Sequence, residues 1–254
     1  MRKYVKNKIY LFREYLNRII YSNSEMNFYE HEVKSVYKEQ LNYEKIINNL
    51  NSDGFYIIDN FLDTKLVKKL KIEFDLILKL KKNHFDLEKT KTIQIRNYDK
   101  SFYLKNKLYL IYFLFSNENL KELLEILFGK KVIFNSEIFF QRTLGTNTPL
   151  AGKFHFDKER SIKLWFYIND CSEDNGPLEC IKGSHISNKI LRNNLKNMKA
   201  KTDDYNLVSN KSNIGTKLIA KSGSLVIFDS DLSHKATPVK SGYFREIIRG
   251  ATFN

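Results

Sequence analysis

Proline and glycine are scarce, three and ten in 254 residues, which excludes a collagen-like or Pro/Gly low-complexity chain. No stretch approaches the roughly 18 consecutive apolar residues that a membrane-spanning helix needs, so no transmembrane segment is expected. Cysteine is nearly absent. Cys171 and Cys180 stand nine apart, with neither a CxxC spacing nor further partners, and read as reduced thiols of a cytoplasmic protein. Arginine supplies only nine of the 43 basic residues. Nucleic-acid binders concentrate Arg and aromatic residues in a patch or module, and none is recognisable, so no specific nucleic-acid partner is expected. The net charge of +14 nevertheless favours anionic partners. Its lysines sit among many Asn, Ile, Tyr and Phe residues, the pattern an AT-rich coding bias leaves behind.

What is present is an ordinary globular balance, 42% hydrophobic and 28% charged. The first twenty residues carry six basic groups and one acid, with Val5, Ile9, Phe12, Leu16 and Ile19 at helical spacing. Lacking an uninterrupted apolar stretch and a small-residue cleavage site, this segment reads as an amphipathic helix packed on the main domain, not a signal peptide. A second helical stretch follows at about residues 30 to 50. Asp53-Gly54 then introduces a short strand, Phe55 to Ile58, and Asp63 or Thr64 caps a helix with Leu66, Leu70, Phe74 and Ile77 on its apolar face. Another helix runs from about Asn117 to Gly129, and Val132 to Phe140 reads as a strand. Strands are then expected at Lys153 to Asp157, Ile162 to Ile168, Lys217 to Ala220, Ser224 to Phe228 and Phe244 to Thr252, the pattern of a sandwich or barrel. The polar stretch Ser187 to Gly215 interrupts them as a solvated insertion or a lid.

Phe154-His155-Phe156-Asp157 supplies a His-x-Asp whose two side chains, on a strand, project from one face and can share a metal ion. Alone, this reads as a surface histidine near a carboxylate. A buried-looking strand, Gly223 to Asp229, then delivers His234 at its end. Two imidazoles and one carboxylate form the facial triad of non-haem Fe(II) oxygen chemistry, with about three coordination positions left open. Eleven residues further on, Arg245 shares a strand face with Arg249, and an inward guanidinium calls for an anion such as a dicarboxylate.

These segments, DGFYIIDNFLD, HFD, KLWFYIND, NGPLECIKGSH and GSLVIFDSDLSH with its following arginine, resemble in order and spacing the phytanoyl-CoA dioxygenase family of Fe(II)- and 2-oxoglutarate-dependent oxygenases. The resemblance runs from about Asp53 to the C-terminus. It implies a mainly β fold with flanking helices and a double-stranded β-helix (jelly-roll, cupin-like) core over residues 53–254; residues 1–52, outside it, read from their own periodicity as a helical extension packed on the core. It further implies His155, Asp157 and His234 as iron ligands, Arg245 as partner of the 2-oxoglutarate C5 carboxylate, and Gln141 as a polar residue reaching co-substrate or substrate. The family places His185 in a structural turn, although it could also serve as a ligand in a three-histidine cupin site; Trp165 reads as barrel core, or as an active-site wall if its strand faces inward. Related halogenases lack the carboxylate that Asp157 supplies, so its presence favours hydroxylation. The implied activity is hydroxylation of a C–H bond of a small-molecule metabolite, using Fe(II), 2-oxoglutarate and O2 and releasing succinate and CO2. Lys189, Arg192, Lys196, Lys199 and Lys201 in the polar stretch would suit an anionic substrate. A cupin-like sugar isomerase or epimerase, or a non-catalytic basic binding protein on the same barrel, are the alternatives.

Overall fold

The computed structural model describes residues 24–80, 84–87, 91–97, 100–132, 137–146, 151–157, 159–197 and 215–253. The amphipathic helix expected at the N-terminus lies outside them, as do residues 198–214 of the polar stretch and residues 133–136 of the strand expected at Val132 to Phe140.

The helical stretch expected at about 30 to 50 is two helices, α1 (Ser24–Gln40) and α2 (Tyr43–Ser52). They are separated where the Asn42 side chain leaves the helix to accept the Lys45 amide at 2.9 Å, an N-cap that restarts the chain in a new direction. Val33, Tyr37, Ile46 and Leu50 are buried, and the Tyr37 hydroxyl donates to the Leu114 carbonyl at 2.7 Å. After β1 (Phe55–Ile58), Asp63 caps α3 (Thr64–Leu80) through the Leu66 amide at 2.7 Å, and Leu66, Leu70, Phe74 and Ile77 are its buried face, as the periodicity predicts. Glu73 is buried on that same face. It accepts the Leu110 and Ile111 amides, and burial pushes its carboxyl up to about 7.

Two strands, β2 (His84–Leu87) and β3 (Thr92–Asn97), follow, then helices α4 (Lys100–Lys105), α5 (Tyr109–Leu114) and α6 (Glu118–Phe128). The last begins at Asn117, whose side chain accepts two amides, and ends at Gly129 in the left-handed region. The remainder is β4 (Glu137–Thr146), β5 (Ser161–Tyr167), β6 (Leu178–Cys180), α7 (Ser184–Asn197), β7 (Thr216–Leu218), β8 (Leu225–Asp229), β9 (His234–Ala236) and β10 (Val239–Phe253).

The strands form an antiparallel seven-stranded sheet, ordered β1-β8-β5-β10-β4-β3-β2, and a three-stranded sheet, β7-β6-β9. This is a jelly-roll core, mainly β with flanking helices. Alternation along the strands separates two apolar clusters. On β5, Ile162, Leu164 and Phe166 join the core beneath the helices, whereas Trp165 and Tyr167 join Phe228, Leu178 and Cys180 in the lumen between the sheets.

Two expectations fail here. Lys153 to Asp157 is not a strand: the chain touches β9 through one antiparallel bridge, His155 to His234, and Asp157 then hydrogen-bonds by its amide to the Ser230 carbonyl at 3.0 Å. The polar stretch from Ser187 is not a structureless loop as far as Asn197. It continues α7, whose inward face is polar instead of apolar, which hid it from a hydrophobic pattern.

Candidate functional site

The single bridge does what a longer strand would have done. His155 and His234 exchange backbone hydrogen bonds of 3.0 and 2.8 Å, which sets their rings 4.4 Å apart, and Asp157 returns to the same side two residues later. Among the described residues, His155, Asp157 and His234 form one group whose ligand atoms all lie within 4.8 Å of one another. The ring tautomers are constrained as well. His155 Nδ1 lies 2.8 Å from the Lys153 carbonyl and His234 Nδ1 2.7 Å from the Leu232 carbonyl. A carbonyl only accepts, so each Nδ1 carries the proton and each Nε2 keeps its lone pair for the site. Burial, reinforced by the neighbouring His155, lowers His234 to about 3, so its ring is neutral. Burial alone would raise the Asp157 carboxyl, but the Lys163 ammonium and the two imidazoles reverse this and hold it below the usual carboxylate range. Two imidazoles that turn Nε2 to the site, with an ionised carboxylate, are the donor set a divalent iron takes.

The loop carrying His234 is braced from outside the lumen. Asn188 of α7 donates to the Asp231 carbonyl and the Ser233 hydroxyl, both at 2.8 Å. Arg192, one helical turn later, is ion-paired with the buried Asp231 carboxylate and stacks on Phe156 at 5.2 Å, between the first two ligand candidates. It is therefore committed to structure, which removes it from the cations expected to meet an anionic substrate. Arg160 holds Asp229 at 2.6 Å from the other side. Gly54, at φ +85, lies under the same loop, where a Cβ would come within 2.6 Å of Leu232 and 2.7 Å of the His185 ring. His185 itself is buried, 3.2 Å from the Asn51 carbonyl, in the structural position its turn implied.

Deeper in the lumen, Arg245 is 3% exposed and donates through Nη1 to the Gly176 carbonyl, in a turn whose glycine adopts φ +71. Its buried Nε has no hydrogen-bond partner. Tyr167, which approaches Arg245 and Cys171, has a buried hydroxyl without a partner of hydrogen-bonding geometry, and its pKa is raised well above the ordinary value by burial. A buried guanidinium N–H without a partner calls for an acceptor, and a carboxylate fits it. Arg249 projects from the same strand face, with its guanidinium 4.5 Å from the Phe139 ring and 5.9 Å from the Trp165 ring. Trp165 is thus a lumen residue, and its buried indole N–H also has no partner. Gln141 faces the lumen on β4 opposite Ile247, but its amide donates to Thr143 at 3.2 Å. Lys163 escaped the sequence reading. Its ammonium is ion-paired with Asp157 inside the barrel, and its only signal in the sequence was alternation with the outward Ile162 and Leu164.

The family model for phytanoyl-CoA dioxygenase (PhyH) matches residues 50–247. The chain belongs to the phytanoyl-CoA dioxygenase family. It is accordingly a 2-oxoglutarate-dependent oxygenase that uses iron and O2. Among solved structures, the PhyH chain is similar to the epimerase SnoN in complex with Fe3+, alpha ketoglutarate and nogalamycin RO, at 11% identity over 84% of this chain and 83% of that one, TM-score 0.61. It is similar to HygX from Streptomyces hygroscopicus with nickel and 2-oxoglutarate bound, at 13% identity over 82% and 86%, TM-score 0.56. It is also similar to a prolyl 4-hydroxylase from Phytophthora capsici, at 15% identity over 87% and 65%, TM-score 0.61. At such identities the likeness is one of fold. Among curated proteins, none matches this sequence. No helix among the described residues is long and apolar enough to cross a membrane.

Proposed function

We propose that this PhyH-family chain hydroxylates a C–H bond of a small-molecule metabolite, with Fe(II) held by His155, Asp157 and His234 and the C5 carboxylate of 2-oxoglutarate held by Arg245. The observation that carries this reading is the convergence of two imidazoles and one ionised carboxylate within 4.8 Å, in a barrel whose lumen also holds the unpartnered Arg245 Nε. Iron supplies dioxygen activation coupled to decarboxylation of 2-oxoglutarate, one oxygen atom going to succinate and the other to the product. The chain's own residues do the rest. Arg245 orients the distal carboxylate, and the backbone carbonyls of Lys153 and Leu232 keep both imidazoles in the ligating tautomer. Trp165 and Phe228 keep the neighbouring wall dry. Gln141, facing the same lumen, is placed for contact with co-substrate or substrate. Arg249 suits an anionic group on the metabolite, because its guanidinium lies on aromatic faces inside the lumen.

SnoN is an epimerase and the Phytophthora protein a hydroxylase, so the fold does not choose between these outcomes. The test is direct. Full-length protein with Fe(II), 2-oxoglutarate and O2 is expected to release succinate, and metabolites that perturb the visible band of the anaerobic Fe(II)·2-oxoglutarate complex are expected to gain one oxygen atom on turnover. His155→Ala and His234→Ala should each abolish iron loading. Unchanged iron stoichiometry in both variants removes the triad, and an isomer of unchanged mass, formed alongside succinate only when an added two-electron reductant takes the second oxygen atom to water, replaces hydroxylation by isomerisation.

A further inference from the structure

The two oxygens of Asp157 have different partners. Oδ1 lies 3.6 Å from His234 Nε2, on the side where the three ligand atoms converge, whereas Oδ2 is ion-paired with the Lys163 ammonium. Lys163 enters the lumen from β5, and its cross-strand neighbours are Phe228 and Ala251, whose side chains offer an ammonium no acceptor. A lysine so placed pays a desolvation cost unless a carboxylate meets it. A carboxylate that meets a divalent cation can bind through one oxygen or through both, and the second mode fills a coordination position.

We propose that Lys163 is a positioning residue that reserves Oδ2 and confines Asp157 to ligation through Oδ1, which keeps open the coordination positions that 2-oxoglutarate and dioxygen need. This rests on the metal reading above and deepens it. A lysine serving only to support the fold would act differently: its loss would weaken metal binding, because Asp157 would be less well held. A lysine that withholds one oxygen leaves metal affinity intact or tighter when removed, and costs the other ligands their room.

The test uses Mn(II), whose binding is read from the electron paramagnetic resonance of the free ion and whose exchangeable waters are read from water-proton relaxation. In the full chain, Lys163→Met is expected to bind Mn(II) at least as tightly as the parent. Its relaxivity per bound ion should fall by about a third, one of about three open positions being lost. Its affinity for 2-oxoglutarate should fall, because the second Asp157 oxygen then competes for a position the chelate needs. Lys163→Arg keeps a cation on Oδ2 and should restore both values. Parental relaxivity and 2-oxoglutarate affinity in Lys163→Met overturn the role of Lys163 while leaving the metal centre standing, as does weakened Mn(II) binding with unchanged relaxivity. Failure of the unmodified protein to take up Mn(II) overturns the metal reading and this inference with it.

Discussion

Arg245 and Arg249 share one face of β10, yet their surroundings give them different work. Arg245 is almost wholly buried, donates one Nη to a backbone carbonyl and leaves Nε without a partner, whereas Arg249 lies half-buried against two aromatic rings. Arg245→Ala should weaken 2-oxoglutarate by roughly 2 to 5 kcal/mol, the range for truncating one partner of a buried charge pair. Arg249→Ala should leave 2-oxoglutarate affinity close to the parent and change only the response to primary substrate. Calorimetric titration of the metal-loaded variants measures both, and a larger loss for Arg249→Ala would exchange their assignments. At this scale the sequence was informative wherever spacing carried the meaning: the candidates His155, Asp157 and His234 come together in the structure, and Arg245 is buried on β10. Tyr167 and Lys163 were hidden because their significance lies in what each meets across the barrel. A strand that alternates between two buried faces offers no amphipathic contrast to show which way a residue points.

Helix α7 is the element whose nature was misread, and the reason is physical. Its inward face presents Asn188 and Arg192, while Ile186 and Ile190 are exposed at 56% and 61%, so it inverts the usual amphipathic order. Polar pairs, not apolar burial, fix it to the loop before His234. Breaking one partner of a buried pair costs about 3 to 5 kcal/mol, and Arg192→Met is expected to lower the melting temperature accordingly and to weaken metal binding by loosening residues 231–234. The double variant Arg192→Met, Asp231→Asn should recover much of the lost stability, because no charge is then stranded. Thermal unfolding and Mn(II) titration of the set check this; full additivity of the two substitutions would mean that the pair does not couple helix to loop. Elements governed by local chemistry were legible, α3 and α6 by their caps and periodicity. The strand expected at residues 153–157 was not. One bridge, two ordered hydrogen-bonded returns and the brace from α7 hold the His-x-Asp in place, and none of these is a local property.

At the scale of the whole molecule, the jelly roll followed from the order of the motifs, and the helical extension packed on the core was read from periodicity alone, since the resemblance began only at Asp53. We take residues 24–52 as part of an extension completing the core. Met26, Val33, Tyr37, Leu41, Ile46 and Leu50 are all buried within the same cluster that underlies the large sheet. At about 1.5 to 3 kcal/mol for each fully buried large side chain, these contacts rival the 5 to 15 kcal/mol typical of a domain's entire stability. The full chain should therefore unfold in one transition, and a chain beginning at residue 53 should be unfolded or aggregated; circular dichroism and gel filtration distinguish these from an independently stable oxygenase domain. The strict alternation along β5 and β10 has a further consequence. Lys163, Trp165 and Tyr167 address the lumen, while Ile162, Leu164 and Phe166 address the helices, so neighbouring positions on one strand answer to separate demands. Lineages sharing this scaffold can exchange the inward set for new selectivity without disturbing the outward set that holds the barrel closed. The same separation gives a protein engineer two libraries that can be varied independently.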